Sequence, residues 1–121
     1  MQMLFEKSEE FGNHKGLGII KGDVKLLPYD SNKKLPNVGW YSLTPNLYEH
    51  NKLSSTNNPK YYFNHGYYCE PKNKNLVLSR SSYGSFDFCS SVKDGNIMGS
   101  QFHPEKSSHH GLNFLKIFLN T

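Results

Sequence analysis

A histidine and a glutamate separated by one residue form the strongest chemical pattern in this sequence. His103 and Glu105 lie in the stretch Gly-Ser-Gln-Phe-His-Pro-Glu-Lys-Ser, residues 99–107. Side chains two apart on an extended chain point the same way, and Pro104 disfavours a helix between them. The carboxylate is therefore predicted to accept a hydrogen bond from one ring nitrogen, which leaves the other nitrogen available as a general base. The alternative is a surface loop with a satisfied histidine.

Two other patterns suggest chemistry at first sight. The glycine-rich stretch Lys15–Gly22 resembles a phosphate-binding loop but lacks Gly-Lys-Ser/Thr, so we predict a turn that leads into a strand. His109 and His110 follow His103 closely, yet no acidic or thiolate ligands stand at a suitable spacing. The sequence therefore predicts neither a metal site nor a cofactor.

Composition limits the class of protein. The chain has 121 residues, a net charge of +4 and 36% hydrophobic residues, which indicates one domain with a modest core. Its lysines and arginines are scattered, whereas nucleic-acid binding usually requires a basic stripe. No apolar run is long enough to span a membrane. The two cysteines show no metal or redox spacing, so we expect free thiols in the cytoplasm.

Hydrophobic periodicity predicts a mixed α/β chain. A helix is expected over Met1–Phe11, ended by Gly12–Asn13. A second helix is expected over Gly111–Leu119, capped by Ser107 or Ser108. Strands are predicted at residues 24–27, 38–43, 61–65, 76–80, 86–92 and 96–102.

Turn chemistry and composition define the connections between these elements. Lys93–Asn96 contains the Asp-Gly pair of a tight hairpin. The prediction also ends the strand 38–43 before Pro45, since proline cannot donate to a ladder. Tyr48–Lys60 is predicted to be a polar loop. The pairs Tyr61–Tyr62 and Tyr67–Tyr68 offer rings for base stacking, but half-buried strands are the commoner use of such pairs.

The string at residues 99–107, followed by Gly111–Leu112 and an apolar helix, resembles the C-terminal signature of class I glutamine amidotransferases. The closest branch is the glutaminase subunit of imidazole glycerol phosphate synthase. The resemblance implies a flavodoxin-like α/β domain with a mixed sheet and flanking helices. It also implies that residues 1–121 are the C-terminal portion of that single domain. In the family, a Gly-x-Cys-Leu-Gly nucleophile elbow precedes a Met-Gln-x-Leu-Phe-Glu helix, and this chain starts at the Met.

The resemblance implies roles for individual residues. His103 would be the general base and Glu105 the residue that orients it. Gln2 would contact the bound glutamine, and Glu10 would pair with its α-amino group. The alternative for Gln2 and Glu10 is the solvated face of a helix. Neither Cys69 nor Cys89 stands where the nucleophile is expected, so the chain alone is predicted to be inactive.

Two further expectations follow from the family. The backbone of Gly66 and Tyr67 would hold the α-carboxylate of glutamine, whereas His65 beside them is read as a filler between strand ends. Trp40 and Lys106 would contact a synthase (cyclase) subunit.

Three residues depart from the family pattern, and two of them, Asn37 and Tyr41, leave the partner and hence the final product open. Gly66 stands where Ser or Thr is usual, Asn37 where His is usual, and Tyr41 where Asn is usual. The main expectation is ammonia supply for histidine biosynthesis. The alternatives are ammonia supply for sugar amidination in surface polysaccharides, a non-catalytic partner-binding remnant, and a small basic binding module.

Overall fold

The computed structural model describes residues 1–46 and 58–120, in which ten strands and one α-helix form. The strands are β1 (Phe5–Ser8), β2 (His14–Lys15), β3 (Ile20–Leu26), β4 (Asn37–Ser42), β5 (Thr44–Pro45), β6 (Lys60–His65), β7 (Tyr67–Pro71), β8 (Val77–Tyr83), β9 (Phe86–Asp94) and β10 (Ile97–Ser100), and the helix is α1 (Ser108–Leu119). Short 3-10 turns cover Gln2–Leu4, Lys74–Leu76 and Pro104–Lys106.

The strands form one large mixed sheet and one separate ribbon. Eight strands make the large sheet in the order β2-β1-β3-β7-β9-β8-β5, with β10 paired to β9. The pair β1–β3 is parallel, and the other described pairs are antiparallel. Strands β4 and β6 form a two-stranded antiparallel ribbon of their own. The predicted combination of a mixed sheet with a C-terminal helix is therefore present.

Two apolar clusters hold these layers together. The first joins β6, β9 and α1 through edge-to-face aromatic contacts, such as Phe63 on Phe88 at 5.6 Å and Phe102 on Phe114 at 4.9 Å between ring centroids. The second lies around β1, β3, β7 and β9. Its fully buried members are Phe5, Ile20, Val24, Cys69, Cys89 and Val92.

The helix predicted over Met1–Phe11 is wrong. A 3-10 turn at Gln2–Leu4 leads directly into β1, and the segment ends at Phe11, which is 93% exposed with φ at +57°. A helix this short and uncapped is marginal, whereas pairing with β3 satisfies the backbone and buries Phe5 completely. Tertiary pairing therefore overrides the local periodicity.

The other predicted elements are present with shifted ends. Strand β3 begins at Ile20 rather than Val24, and α1 begins at Ser108 rather than Gly111. The Asp-Gly hairpin is confirmed, because Asp94 pairs with Ile97 and Gly95 adopts a φ of +57°.

Two expectations concern the middle of the chain. Strand β4 stops at Ser42, before Pro45, as predicted. The polar loop predicted over Tyr48–Lys60 lies largely outside the described residues, and Lys60 already belongs to β6. Within residues 1–46 and 58–120, no helix is long and apolar enough to cross a membrane.

Candidate active site

The histidine and glutamate of the sequence motif meet on the loop between β10 and α1. Glu105 Oε1 lies 2.8 Å from His103 Nδ1, so the carboxylate accepts a hydrogen bond from that ring nitrogen as the spacing predicts. The backbone N–H of Glu105 and the His103 ring hold the pKa of the Glu105 carboxyl below its usual value. An ionised Glu105 keeps the Nδ1 proton in place and leaves Nε2 for proton transfer.

Strand β6 clamps this loop at both ends through the backbone of Tyr62. The N–H of His103 donates to the Tyr62 carbonyl at 2.9 Å, and the N–H of Tyr62 donates to Ser107 Oγ at 2.9 Å. The Ser107 hydroxyl in turn donates to the His103 carbonyl at 2.6 Å. Because Ser107 is fully buried, its hydroxyl works as an internal link between the strand and the loop rather than as a solvated group.

Helix α1 supports the loop from its other side. A Cβ at Gly111 would overlap the carbonyl oxygen of Pro104, so the helix approaches the loop more closely than a larger residue permits. Phe114, one turn further along, packs into the aromatic cluster against Phe102. The position of His103 therefore depends on both β6 and α1.

A cavity of about 500 Å³ opens beside His103. Its size falls within the range of roughly 300–1,000 Å³ typical of small-molecule sites. The lining residues are Met1, Gln2, Met3, Glu10, Asn64, His65, Gly66, Ser100, Gln101, Phe102, His103 and Pro104. We call this cavity the histidine cleft.

The histidine cleft gathers most of the residues that the sequence singled out. Gln2, Glu10, Gly66 and His103 all line it, although the predicted helix over Met1–Phe11 does not form. Tyr67 touches the same group, because its carbonyl oxygen accepts a hydrogen bond from Gln2 Nε2 at 3.3 Å. The structure thus brings together a carboxylate, an amide, an imidazole and a backbone turn.

Gly66 forms the corner at which the chain passes from the ribbon to the large sheet. Its carbonyl accepts a hydrogen bond from the N–H of Leu27 at 3.0 Å. A Cβ placed at Gly66 meets nothing within 4 Å, so the position does not require glycine for space. The Ser or Thr that the family pattern favours there fits sterically.

The sequence interpretation missed the role of His65. This side chain is 6% exposed, donates from Nδ1 to the Tyr67 carbonyl at 2.7 Å, and accepts at Nε2 from Asn37 Nδ2 at 3.1 Å. Burial, with a smaller contribution from the charge of His103, lowers the pKa of His65. The burial of His65 could have been predicted from the alternation of side chains along β6, which places it on the same face as Tyr61 and Phe63.

Tyr62 was also missed, although it connects the predicted partner residues to the loop. Its ring lies 5.7 Å from that of Trp40, 5.7 Å from Lys106 Nζ and 6.1 Å from the His103 ring, measured to centroids. Trp40 is 48% exposed. We call Trp40, Tyr62 and Lys106 the aromatic platform.

The two cysteines are buried and do not have the exposure that a nucleophile needs. Cys69 and Cys89 are both free, fully inaccessible to solvent and directly opposite each other on β7 and β9. Burial raises the pKa of both thiols, that of Cys89 to about 12. A nucleophilic cysteine requires an accessible thiolate, so neither residue can serve the histidine cleft.

These features coincide with a match to a known family. Residues 1–120 match the family described as glutamine amidotransferase class-I. The chain belongs to the class-I glutamine amidotransferases, and the predicted α/β fold class is confirmed.

Curated relatives narrow the similarity further. The chain is 41% identical over 118 residues to a protein of Aquifex aeolicus and 42% identical over 116 residues to one of Sulfolobus acidocaldarius, each named imidazole glycerol phosphate synthase subunit HisH. A Chlorobium luteolum protein of the same name is 38% identical over 120 residues. These matches cover 95–98% of this chain but only 56–58% of each relative.

Proposed function

We propose that this chain forms part of a glutaminase that releases ammonia from glutamine for a synthase of histidine biosynthesis. One observation carries the proposal: the histidine cleft brings His103, backed by Glu105, next to Gln2, Glu10 and Gly66. The relatives named as subunits of imidazole glycerol phosphate synthase support the choice of pathway.

The cleft offers complementary groups for a free amino acid. Glu10 would pair with the α-ammonium group of glutamine, and the backbone at Gly66 and Tyr67 would hold the α-carboxylate. Gln2, whose amide nitrogen already bonds to the Tyr67 carbonyl, would contact the substrate beside them. Separate anchors at the two charged groups of the substrate fix the direction in which its side-chain amide points.

His103 would transfer the protons of the reaction. A cysteine thiol loses its proton to Nε2 and attacks the side-chain carbonyl carbon of glutamine. The C–N bond then breaks, and the proton on Nε2 leaves with the nitrogen as ammonia. Water hydrolyses the resulting thioester to glutamate with the same nitrogen as base. Throughout, the Glu105 carboxylate stabilises the imidazolium form.

The nucleophile would come from outside this sequence. Cys69 and Cys89 are the only cysteines of the chain, and both thiols are buried and protonated. We therefore expect the purified chain alone to release no ammonia above the rate without protein.

The aromatic platform is our proposed contact for the synthase subunit. Aromatic side chains are enriched at protein interfaces, and Tyr62 links this surface directly to the His103 loop. A second candidate function, a partner-binding protein without catalysis, is favoured by the two inaccessible thiols.

Complementation tests the proposal. The chain is co-expressed with the part of the Aquifex aeolicus relative that it does not match, and ammonia release from L-glutamine is measured. We expect activity that disappears with His103→Ala or with alanine at the cysteine of the added segment, and falls with Glu105→Gln. Adding the synthase subunit should increase the rate, and Trp40→Ala should weaken that increase.

The negative results separate the two candidates. A folded complex that binds the synthase subunit but neither binds nor hydrolyses glutamine would refute the catalytic proposal and leave the binding function. Activity that survives His103→Ala would remove that residue from the mechanism.

A further inference from the structure

A buried polar pair lies at the wall of the histidine cleft, which His65 lines, and the mechanism above assigns it no part. Asn37 is 1% exposed and His65 is 6% exposed, and they face each other across the ends of β4 and β6. Asn37 Nδ2 lies 3.1 Å from His65 Nε2. No other described side chain pair combines an amide and an imidazole at this depth.

Hydrogen bonds fix the orientation and tautomer of the His65 ring. The Tyr67 carbonyl oxygen, 2.7 Å from Nδ1, can only accept, so Nδ1 carries the proton. In the neutral ring Nε2 is then an acceptor, and the Asn37 amide supplies its donor. The ring also packs between Phe63 and Phe88, with centroid distances of 5.6 and 5.0 Å. Rotation of this ring would therefore break both hydrogen bonds and its packing.

The bond to Tyr67 orients a part of the backbone that borders the cleft. The carbonyl of Gly66 is fixed by the N–H of Leu27, and that of Tyr67 by His65 and Gln2. A trans peptide is planar, so a fixed carbonyl also fixes the direction of the next residue's N–H. The contact at Gly66 thus aims the N–H of Tyr67, and the bond from His65 holds the carbonyl of the same residue.

If Asn37 and His65 only filled space in the core, their polar atoms would cost stability. Asn37 Oδ1 is buried without a hydrogen-bond partner in the described part of the chain, and such an atom is destabilising. An apolar pair would occupy the same space without that cost. The polar contacts are therefore better explained by the backbone that they orient than by stability.

We propose that Asn37 and His65 are positioning residues that hold the Gly66–Tyr67 backbone and Gln2 in the geometry that receives the α-carboxylate of glutamine. This inference rests on the proposed function, because it assigns the pair to the same substrate. A neutral His65 also keeps a second positive charge away from His103 while that residue carries a proton.

Four variants of the full chain separate positioning from packing. Asn37→Leu combined with His65→Phe removes every polar atom of the pair while keeping its approximate volume, a change that is nearly neutral for stability. His65→Asn keeps an amide nitrogen on Cγ, where Nδ1 is attached, whereas His65→Gln moves it to the position of Nε2. His14→Asn makes the same replacement at an exposed histidine outside the cleft and serves as the control.

Calorimetric titration with L-glutamine gives the dissociation constant and the number of sites separately. We expect the double variant and His65→Gln to weaken binding about fivefold to tenfold at an unchanged number of sites, as for one lost hydrogen-bond network. His65→Asn should recover most of the affinity, and His14→Asn should match the unmodified chain.

Each contrary outcome has a distinct meaning. A double variant that binds as tightly as the unmodified chain overturns the positioning role. The same holds if only the number of sites falls, since that result indicates partial unfolding. If neither the unmodified chain nor its complex with the added segment binds glutamine, the proposed function is refuted, and the positioning role falls with it.

Discussion

The hydroxyl of Ser107 is the single group whose removal should most directly loosen the His103 loop. It accepts from the N–H of Tyr62 and donates to the carbonyl of His103. Ser107→Ala leaves the Tyr62 N–H unsatisfied, whereas the His103 carbonyl retains the N–H of Lys106 at 3.1 Å. The larger penalty therefore comes from one orphaned donor, about 1–3 kcal/mol of unfolding free energy. For a chain of this length we expect the melting temperature to fall by roughly 4–12 °C.

This loss differs from the loss of a helix cap. Ser107 occupies the N-cap position of α1, but its side chain makes no capping hydrogen bond to the helix. Trp40, the only tryptophan, packs on Tyr62 and so reports the same region. Urea unfolding followed by its fluorescence measures the change.

Two matched variants make the measurement decisive. Ser107→Cys keeps the approximate volume but hydrogen-bonds weakly, and it should lose nearly as much stability as Ser107→Ala. Ser108→Ala alters the exposed neighbour and should stay within about 0.5 kcal/mol of the unmodified chain. If Ser107→Ala proves no less stable than Ser108→Ala, the hydroxyl does not link the strand to the loop.

Three further predictions concern the same framework. Gly111→Ala should destabilise the chain because its Cβ would overlap the Pro104 carbonyl, although alanine usually stabilises a helix by about 1 kcal/mol relative to glycine. Thermal melting measures the loss, and Gly66→Ala, whose Cβ has open space, is the control. Because the pKa of Glu105 is lowered in the folded chain, its contribution to stability is present above the usual pKa of 4.5 and is lost as the pH falls through the folded-state pKa. NMR titration of the Glu105 carboxyl, with Glu105→Gln for comparison, detects this change. At neutral pH, Cys69 and Cys89 should be alkylated no faster than the chain unfolds, and rapid labelling of the native chain would contradict their burial.

The sequence was sufficient to predict a structural feature wherever the local pattern and the tertiary contacts favour the same conformation. The contact between His103 and Glu105 follows from their spacing around a proline, and the Asp-Gly hairpin follows from its turn chemistry. Strand β6 was predicted from its paired tyrosines, which are typical of half-buried strands. These features need only the properties of neighbouring residues.

Local patterns failed where a distant partner decides the conformation. The periodicity of Met1–Phe11 favours a helix, but nothing within that segment reveals β3, whose pairing buries Phe5. The meeting of Gln2 and Glu10 with Gly66 was expected from the family resemblance alone, since more than fifty residues separate them in sequence. His65 was underestimated because its two partners, Asn37 and the Tyr67 carbonyl, are visible only in three dimensions.

The separation of the ribbon from the large sheet has a mechanical consequence for the cleft. His103 is bonded to the ribbon through Tyr62, whereas Glu10 follows β1 on the large sheet. His103 is thus held to the ribbon by a backbone hydrogen bond and to the large sheet by the chain that follows β10, whereas Glu10 belongs to the large sheet alone. The distance between the His103 imidazole and the Glu10 carboxylate therefore depends on how the ribbon packs on the large sheet. That packing consists of the first apolar cluster and of hydrogen bonds such as the one that the Ser81 hydroxyl donates to the Ser42 carbonyl at 2.9 Å.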